Sequence, residues 1–146
     1  MTKDLFHAEL ATRCSILGSA VLPIHWSAFA YYRSLKQLAC HVLNHPDEPL
    51  SLNDAARIAG LNRSYFAEYF REKTGVTFKC WMDVMRVSHA AWLLRDSDIP
   101  IGQGCREAGF QDPTTFARTF RRLIGLSPTQ FRQQRQKPDE SPKLPD

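Results

Sequence analysis

Two stretches of this chain pair an aromatic helix face with a polar face able to hydrogen-bond and to carry positive charge: YFAEYFREKTG at residues 65 to 75 and TFARTFRRLIG at residues 115 to 125. Phe66, Tyr69 and Phe70 in the first, and Phe116 and Phe120 in the second, recur at i, i+3, i+4 spacing and are expected to face a core. The alternate face carries Ser64, Ala67, Glu68 and Arg71 in the first copy and Thr114, Ala117, Arg118 and Arg121 in the second. Small residues let a helix backbone approach the floor of a DNA groove, and long polar ones reach base edges and phosphates. A guanidinium such as that of Arg118 can bond guanine O6 and N7 together, which is worth about 1 to 3 kcal/mol of discrimination. The phenylalanines share the face that must be buried, so they are core packing and not platforms for stacking bases.

Other chemistries find less support. His41 and His45 stand at i, i+4 on a helical segment, a spacing that can ligate a metal, but no third ligand accompanies them at useful spacing, so no metal site is expected. Cys14, Cys40, Cys80 and Cys105 lie far apart with no CxxC pair, which reads as reduced thiols and not as a zinc site or a disulfide framework. There is no G-x-S-x-G elbow, Walker loop or H-E-x-x-H, so neither a catalytic residue nor a cofactor is expected, and the chain is not read as an enzyme.

The two stretches belong to a larger duplication. Leu52, Ala56, Arg57, Ala59 and Gly60 align with Ile101, Cys105, Arg106, Ala108 and Gly109, and Phe66, Phe70, Arg71 and Gly75 with Phe116, Phe120, Arg121 and Gly125. Each copy reads as a short helix, a tight glycine turn and a longer helix, the layout of a helix-turn-helix. Ser51 and Asn62 are N-cap candidates in the first copy. In the second, Asp112-Pro113 starts a helix, and Ser127-Pro128-Thr129-Gln130 starts a last one. Ahead of the first copy, Tyr31, Leu35, Leu38 and Val42 predict a helix from Ser27 to Asn44. Between the copies, Thr77 to Arg95 reads as one uninterrupted helix. One of its apolar stripes holds Phe78, Met82, Met85, His89 and Leu93, and a neighbouring one holds Trp81, Val84, Ser88, Ala91 and Trp92. A band that wide suits a helix shared by two subdomains.

The helical pattern makes this an all-α chain, and its composition fits one compact soluble domain or two small ones sharing a core: 146 residues, 43% hydrophobic and 23% charged, with a formal charge of +4. The net positive charge falls between residues 25 and 132 and is compatible with a polyanionic partner. Residues 1–26 are an N-terminal segment of uncertain structure, whose loose apolar spacing (Leu5, Phe6, Leu10, Cys14, Leu17) fits one helix. Residues 27–95 form the first helix-turn-helix subdomain with its linker helix and 96–132 the second, and 133–146 is a proline-bearing tail expected to be disordered. The apolar stretch SILGSAVLPI is too short to span a bilayer, so a cytoplasmic chain is expected.

Residues 27 to 132 resemble the AraC/XylS family of transcription regulators. The most specific stretch is IGQGCREAGFQDPTTFARTFRRLIGLSPTQFR, with Gly109-Phe110, Phe116, Arg118, Phe120, Gly125, Ser127-Pro128 and Phe131-Arg132. The resemblance implies seven helices, two helix-turn-helix subdomains joined by a long linker helix, and recognition helices entering successive major grooves of double-stranded DNA. Nineteen residues at 1.5 Å each make that linker roughly 28 Å long, against about 34 Å between grooves. Carried over, the family's base-reading positions fall on Ser64, Ala67 and Glu68, and on Pro113, Thr114, Ala117 and Arg118, while Arg63, Arg71, Arg121 and Arg122 are expected at phosphates. The resemblance further implies an activator that recruits RNA polymerase. It implies either independent action, as in small MarA/SoxS-like members, or an upstream sensor or dimerisation domain. The alternative is a protein-interaction module descended from such a regulator. Two departures from the family pattern stand out: Ala55 and Gly104 replace large aliphatic residues, Gly104 being expected to leave a packing gap, and Glu68 sets a carboxylate where DNA would repel it.

Overall fold

Short-range capping chemistry decides where most of the helices start. The computed structural model describes Leu10, residues 14 to 21 and residues 23 to 135. The Ser51 hydroxyl accepts from the Asp54 N–H and the Asp54 carboxylate accepts from the Ser51 N–H, both at 3.1 Å, a reciprocal box that starts a helix at Leu52. Asn62 Oδ1 accepts from the Tyr65 N–H at 2.8 Å and Thr77 Oγ1 from the Cys80 N–H at 3.1 Å, each opening the next helix. Ser127 and Gln130 form a second reciprocal box. From residue 28 onward eight α-helices follow: α1 (Ala28–Tyr31), α2 (Arg33–Asn44), α3 (Leu52–Ala59), α4 (Arg63–Thr74), α5 (Phe78–Asp96), α6 (Ile101–Glu107), α7 (Pro113–Ile124) and α8 (Pro128–Arg135). No strand occurs among the described residues.

The helix expected over Ser27 to Asn44 is split, because Tyr32 adopts an extended backbone (φ −96°, ψ 119°) and ends α1 after a single turn. The break lets α1 aim Phe29 inward, stacked on Trp81 at 5.0 Å and edge-on to Phe70 at 5.9 Å. Tyr31, placed by periodicity on the apolar stripe, is instead 71% exposed. With Phe66 and Phe78 these rings form the aromatic core of the first helix-turn-helix. A smaller chain of rings, Phe110, Phe116, Phe120 and Phe131, with neighbouring centroids 5.0 to 5.6 Å apart, fills the second.

Helix α5 touches both sets of helices: α4 on one side, and α6, α7 and α8 on the other. Its buried face is as broad as the two stripes required but is centred differently. Val87, Ala90 and Leu94 are fully buried, whereas Trp92 is 53% exposed and His89 and Leu93 are half-buried. Periodicity alone misplaced the band because neighbours on both sides of the rod decide which residues are covered. At the N-terminal end, Ser15–Val21 forms a 3₁₀ segment kinked at Gly18 against α5 and α7, not the continuous helix its apolar spacing suggested, while Leu10, Cys14 and Leu17 are buried. Residues 1 to 9, 11 to 13 and 22 lie outside the described residues. So do residues 136 to 146 of the expected tail, and Gln133 to Arg135 belong to α8.

Gly104 does not leave the expected gap. A Cβ placed there would sit 3.2 Å from Leu94 Cδ2 and 3.6 Å from Ile99 Cδ1, because those two side chains already occupy the space. Gly104→Ala should therefore be close to neutral, with about 1 kcal/mol of helix propensity offset by the tight contact. Gly104→Leu should destabilise by roughly 1 to 3 kcal/mol through overpacking. Urea unfolding of both variants checks this; a leucine variant more stable than the parent would restore the gap.

Candidate nucleic-acid interface

Each longer helix of the duplicated unit is held at both ends. Helix α4 begins at Asn62 and stops at Gly75, and α7 begins at Asp112 and stops at Gly125. The Asp112 carboxylate accepts from the N–H groups of Thr114 (3.3 Å) and Thr115 (3.2 Å) and from the Thr115 hydroxyl (2.8 Å). These bonds, the Thr115 hydroxyl first, hold its pKa below the ordinary aspartate value, and the nearby positive charge of Arg118 acts in the same direction. Asp112 is thus an anchored anion that sets the N-terminus of α7.

The turn before α7 leaves little room for a side chain. Gly109 has φ +89°, and a Cβ on it would lie 3.1 Å from the Pro46 carbonyl oxygen and 3.4 Å from Arg86 Nε. Glycine at this point lets the turn of the second copy press against the loop that leads into the first. Arg86, half-buried on α5 with an unpartnered Nε, fills the angle between them, and burial lowers its pKa against the opposing pull of Asp83.

The two faces anticipated from the eleven-residue stretches lie as follows. Phe66, Phe70, Phe116 and Phe120 are buried, while Tyr69 is only half-buried, its hydroxyl 3.3 Å from Ser34 Oγ. On α4, Arg63, Ser64, Glu68 and Arg71 are exposed and Ala67 is half-buried. On α7, Pro113, Thr114, Ala117, Arg118, Arg121 and Arg122 are exposed. The two helices border a common open cleft of about 990 Å³, Ala67, Glu68 and Arg71 contributing from α4 and Thr115 and Thr119, beside the Asp112 cap, from α7. The cleft thus runs along one flank of each helix; Ala67 and Glu68 line it, whereas Ser64, Pro113, Thr114, Ala117 and Arg118 do not.

Arg122 differs from the other arginines of this group. Its Nη2 donates to Asp83 Oδ2 at 3.1 Å, and Lys79 Nζ lies 3.5 Å from the same oxygen, with the Asp83 side chain only 13% exposed. Arg122 thus ties α7 to the rod α5, a role that no local pattern announces because the partners stand 39 positions apart. The histidine pair also gains what sequence spacing did not offer, since Glu48 Oε2 lies 2.9 Å from His41 Nε2. None of the four cysteines is in a disulfide, and no helix among the described residues is long and apolar enough to cross a membrane.

Comparison with known proteins agrees with this geometry. A family described as helix-turn-helix domain matches residues 55–134. The melibiose operon regulatory protein of Escherichia coli (strain K12) is 32% identical over 98 residues, covering 67% of this chain and 32% of that protein. The chain spans about a third of the length of the curated relatives it matches. Among solved structures, the DNA-binding domain of AdpA, a global transcriptional factor held in complex with a target DNA, superposes with a TM-score of 0.67 at 29% identity, covering 73% of this chain and 97% of that one. An AraC-type transcriptional regulator from Chromobacterium violaceum superposes with a TM-score of 0.65 at 26% identity, covering 72% and 94% of the two chains. Two capped helices of a duplicated helix-turn-helix in an all-helical frame, in a sequence that aligns with operon regulators, lead to one assignment: the chain belongs to the AraC-type family of helix-turn-helix DNA-binding regulators.

Proposed function

We propose that this chain binds double-stranded DNA in a sequence-specific manner and regulates transcription by placing α4 and α7 in successive major grooves on one face of the duplex. The observation that carries the reading is that Ser64 and Glu68 on α4 and Thr114, Ala117 and Arg118 on α7 are all exposed, on two capped helices that flank a common cleft. Base reading falls to Ser64, Ala67 and Glu68 from α4 and to Pro113, Thr114, Ala117 and Arg118 from α7. Arg63, Arg71, Arg121 and Arg122 meet phosphates, Arg122 with the N–H groups that its bond to Asp83 leaves available. The carboxylate of Glu68 fits a cytosine amino group, the base-edge donor that a carboxylate can accept from. The rod α5 has 19 residues, so it is about 28 Å long and shorter than one DNA turn; bending of the DNA toward the protein brings both helices into register.

The subdomains run over 27–96, including the rod, and 97–135, and one polypeptide carrying both reading helices needs no palindromic site. Activation in the cytoplasm through contact with RNA polymerase, under control of an upstream sensor or dimerisation domain or of the chain's own abundance, completes the proposal. Measuring affinity for DNA across a salt series tests its core. Three or four phosphate contacts should give a slope of log K against log salt of about −3 to −4. A slope near zero, or no binding at low salt, would leave the protein-interaction alternative standing.

A further inference from the structure

We propose that His41, His45 and Glu48 form a binding site for one divalent transition-metal ion of the zinc type, at the C-terminal end of α2. One ligand-capable atom from each residue lies within 4.8 Å of the other two. A metal with bonds of about 2.0 to 2.2 Å holds its donors about 3.3 Å apart in a tetrahedron, so small side-chain rotations close the cluster. His41 Nε2 already faces Glu48 Oε2 at 2.9 Å, and a metal would take the place of the proton between them.

The second histidine is prepared in a way that an ordinary surface pair does not require. Its Nδ1 lies 3.0 Å from the His41 carbonyl oxygen. A carbonyl only accepts, so Nδ1 carries the proton and Nε2 is left with the lone pair that binds metal. A ligating imidazole whose other nitrogen donates to a backbone carbonyl is the usual outer-shell arrangement of such sites. The two rings lie nearly parallel, 4.5 Å apart at 27°, so little rotamer freedom remains to be lost on binding.

The surroundings favour a cation as well. The last carbonyls of α2 point toward this end of the helix, where the helix dipole is negative, and Asp47 adds a carboxylate in the same loop. Two imidazoles and one carboxylate with water in the fourth position make a recognised zinc set, whereas calcium and magnesium prefer oxygen donors. The site also joins α2 to the loop whose Pro46 carbonyl abuts Gly109 in the second helix-turn-helix. Metal held there would stiffen the contact between the two halves.

Calorimetric titration of tag-free, fully reduced protein with zinc chloride tests the proposal, together with a thermal melt in zinc and in chelator. One equivalent should bind, and zinc should raise the melting temperature. His45→Gln, at an exposed position where folding is not at stake, should weaken binding at least 100-fold and abolish the rise. Glu48→Gln should weaken binding about tenfold. Unchanged binding in His45→Gln would overturn the proposal, as would the absence of stoichiometric binding, which would leave His41 and Glu48 as a simple hydrogen-bonded pair. Cobalt provides an independent readout: a thiolate charge-transfer band on its addition would move the metal to the cysteines and equally defeat the assignment.

Discussion

Phe70→Ala should lower stability by about 3 to 5 kcal/mol, the largest loss expected from any single change in the described core. Phe70 is fully buried, and its ring meets those of Phe29, Phe66, Phe78 and Trp81 at centroid distances of 5.6 to 5.9 Å. Those partners come from α1, α4 and α5, so removing the ring opens a cavity where three helices meet and none can move in without breaking another contact. The equivalent Phe120→Ala should cost less, near 3 kcal/mol, because one of its two ring partners, Phe131, is only half-buried and free to shift. Urea unfolding followed by tryptophan fluorescence measures both. A Phe70→Ala loss under about 1 kcal/mol would mean that the aromatic cluster does not hold the first helix-turn-helix together.

Arg118→Ala should reduce affinity for the preferred DNA site by roughly 5- to 150-fold, equivalent to about 1 to 3 kcal/mol, while leaving affinity for random DNA nearly unchanged. The asymmetry follows from position. Arg118 is exposed on the face of α7 that also presents Thr114, Ala117 and Arg121, and its positive charge helps hold the Asp112 carboxylate below its ordinary pKa. Arg121→Ala should weaken specific and random sites alike and make the salt slope shallower by about one, the signature of a phosphate contact. Sites selected from a random oligonucleotide pool and titrated with each variant provide the comparison. Equal losses on both kinds of DNA for Arg118→Ala would remove its reading role and shift sequence discrimination to α4 or to DNA shape.

Arg122 shows where reading along the chain gives out. It stands beside Arg121 in the same motif, and nothing in the local pattern separates them, yet in the structure it alone of the two also pairs with Asp83 on the rod. The same limit applies to Gly104, where the expected gap is filled by Leu94 and Ile99, and to Tyr31, turned outward by the break at Tyr32. Glu48 joins His41 and His45 only because the loop after α2 folds back over the helix end. Each of these outcomes depends on the path of a second segment.

What the amino-acid order determined by itself was the set of helices after residue 33, their caps at Ser51, Asn62, Asp112 and Ser127, the buried phenylalanine faces and the duplicated helix-turn-helix. Caps and helical periodicity act within about four residues, where the covalent chain already sets the distances. Only the tertiary structure decided which residues of α5 are covered, that α4 and α7 border one cleft, that Arg122 serves the frame and that three metal-binding side chains converge. Those relations depend on how helices pack across the aromatic core, and packing angles are set jointly by side chains far apart in sequence.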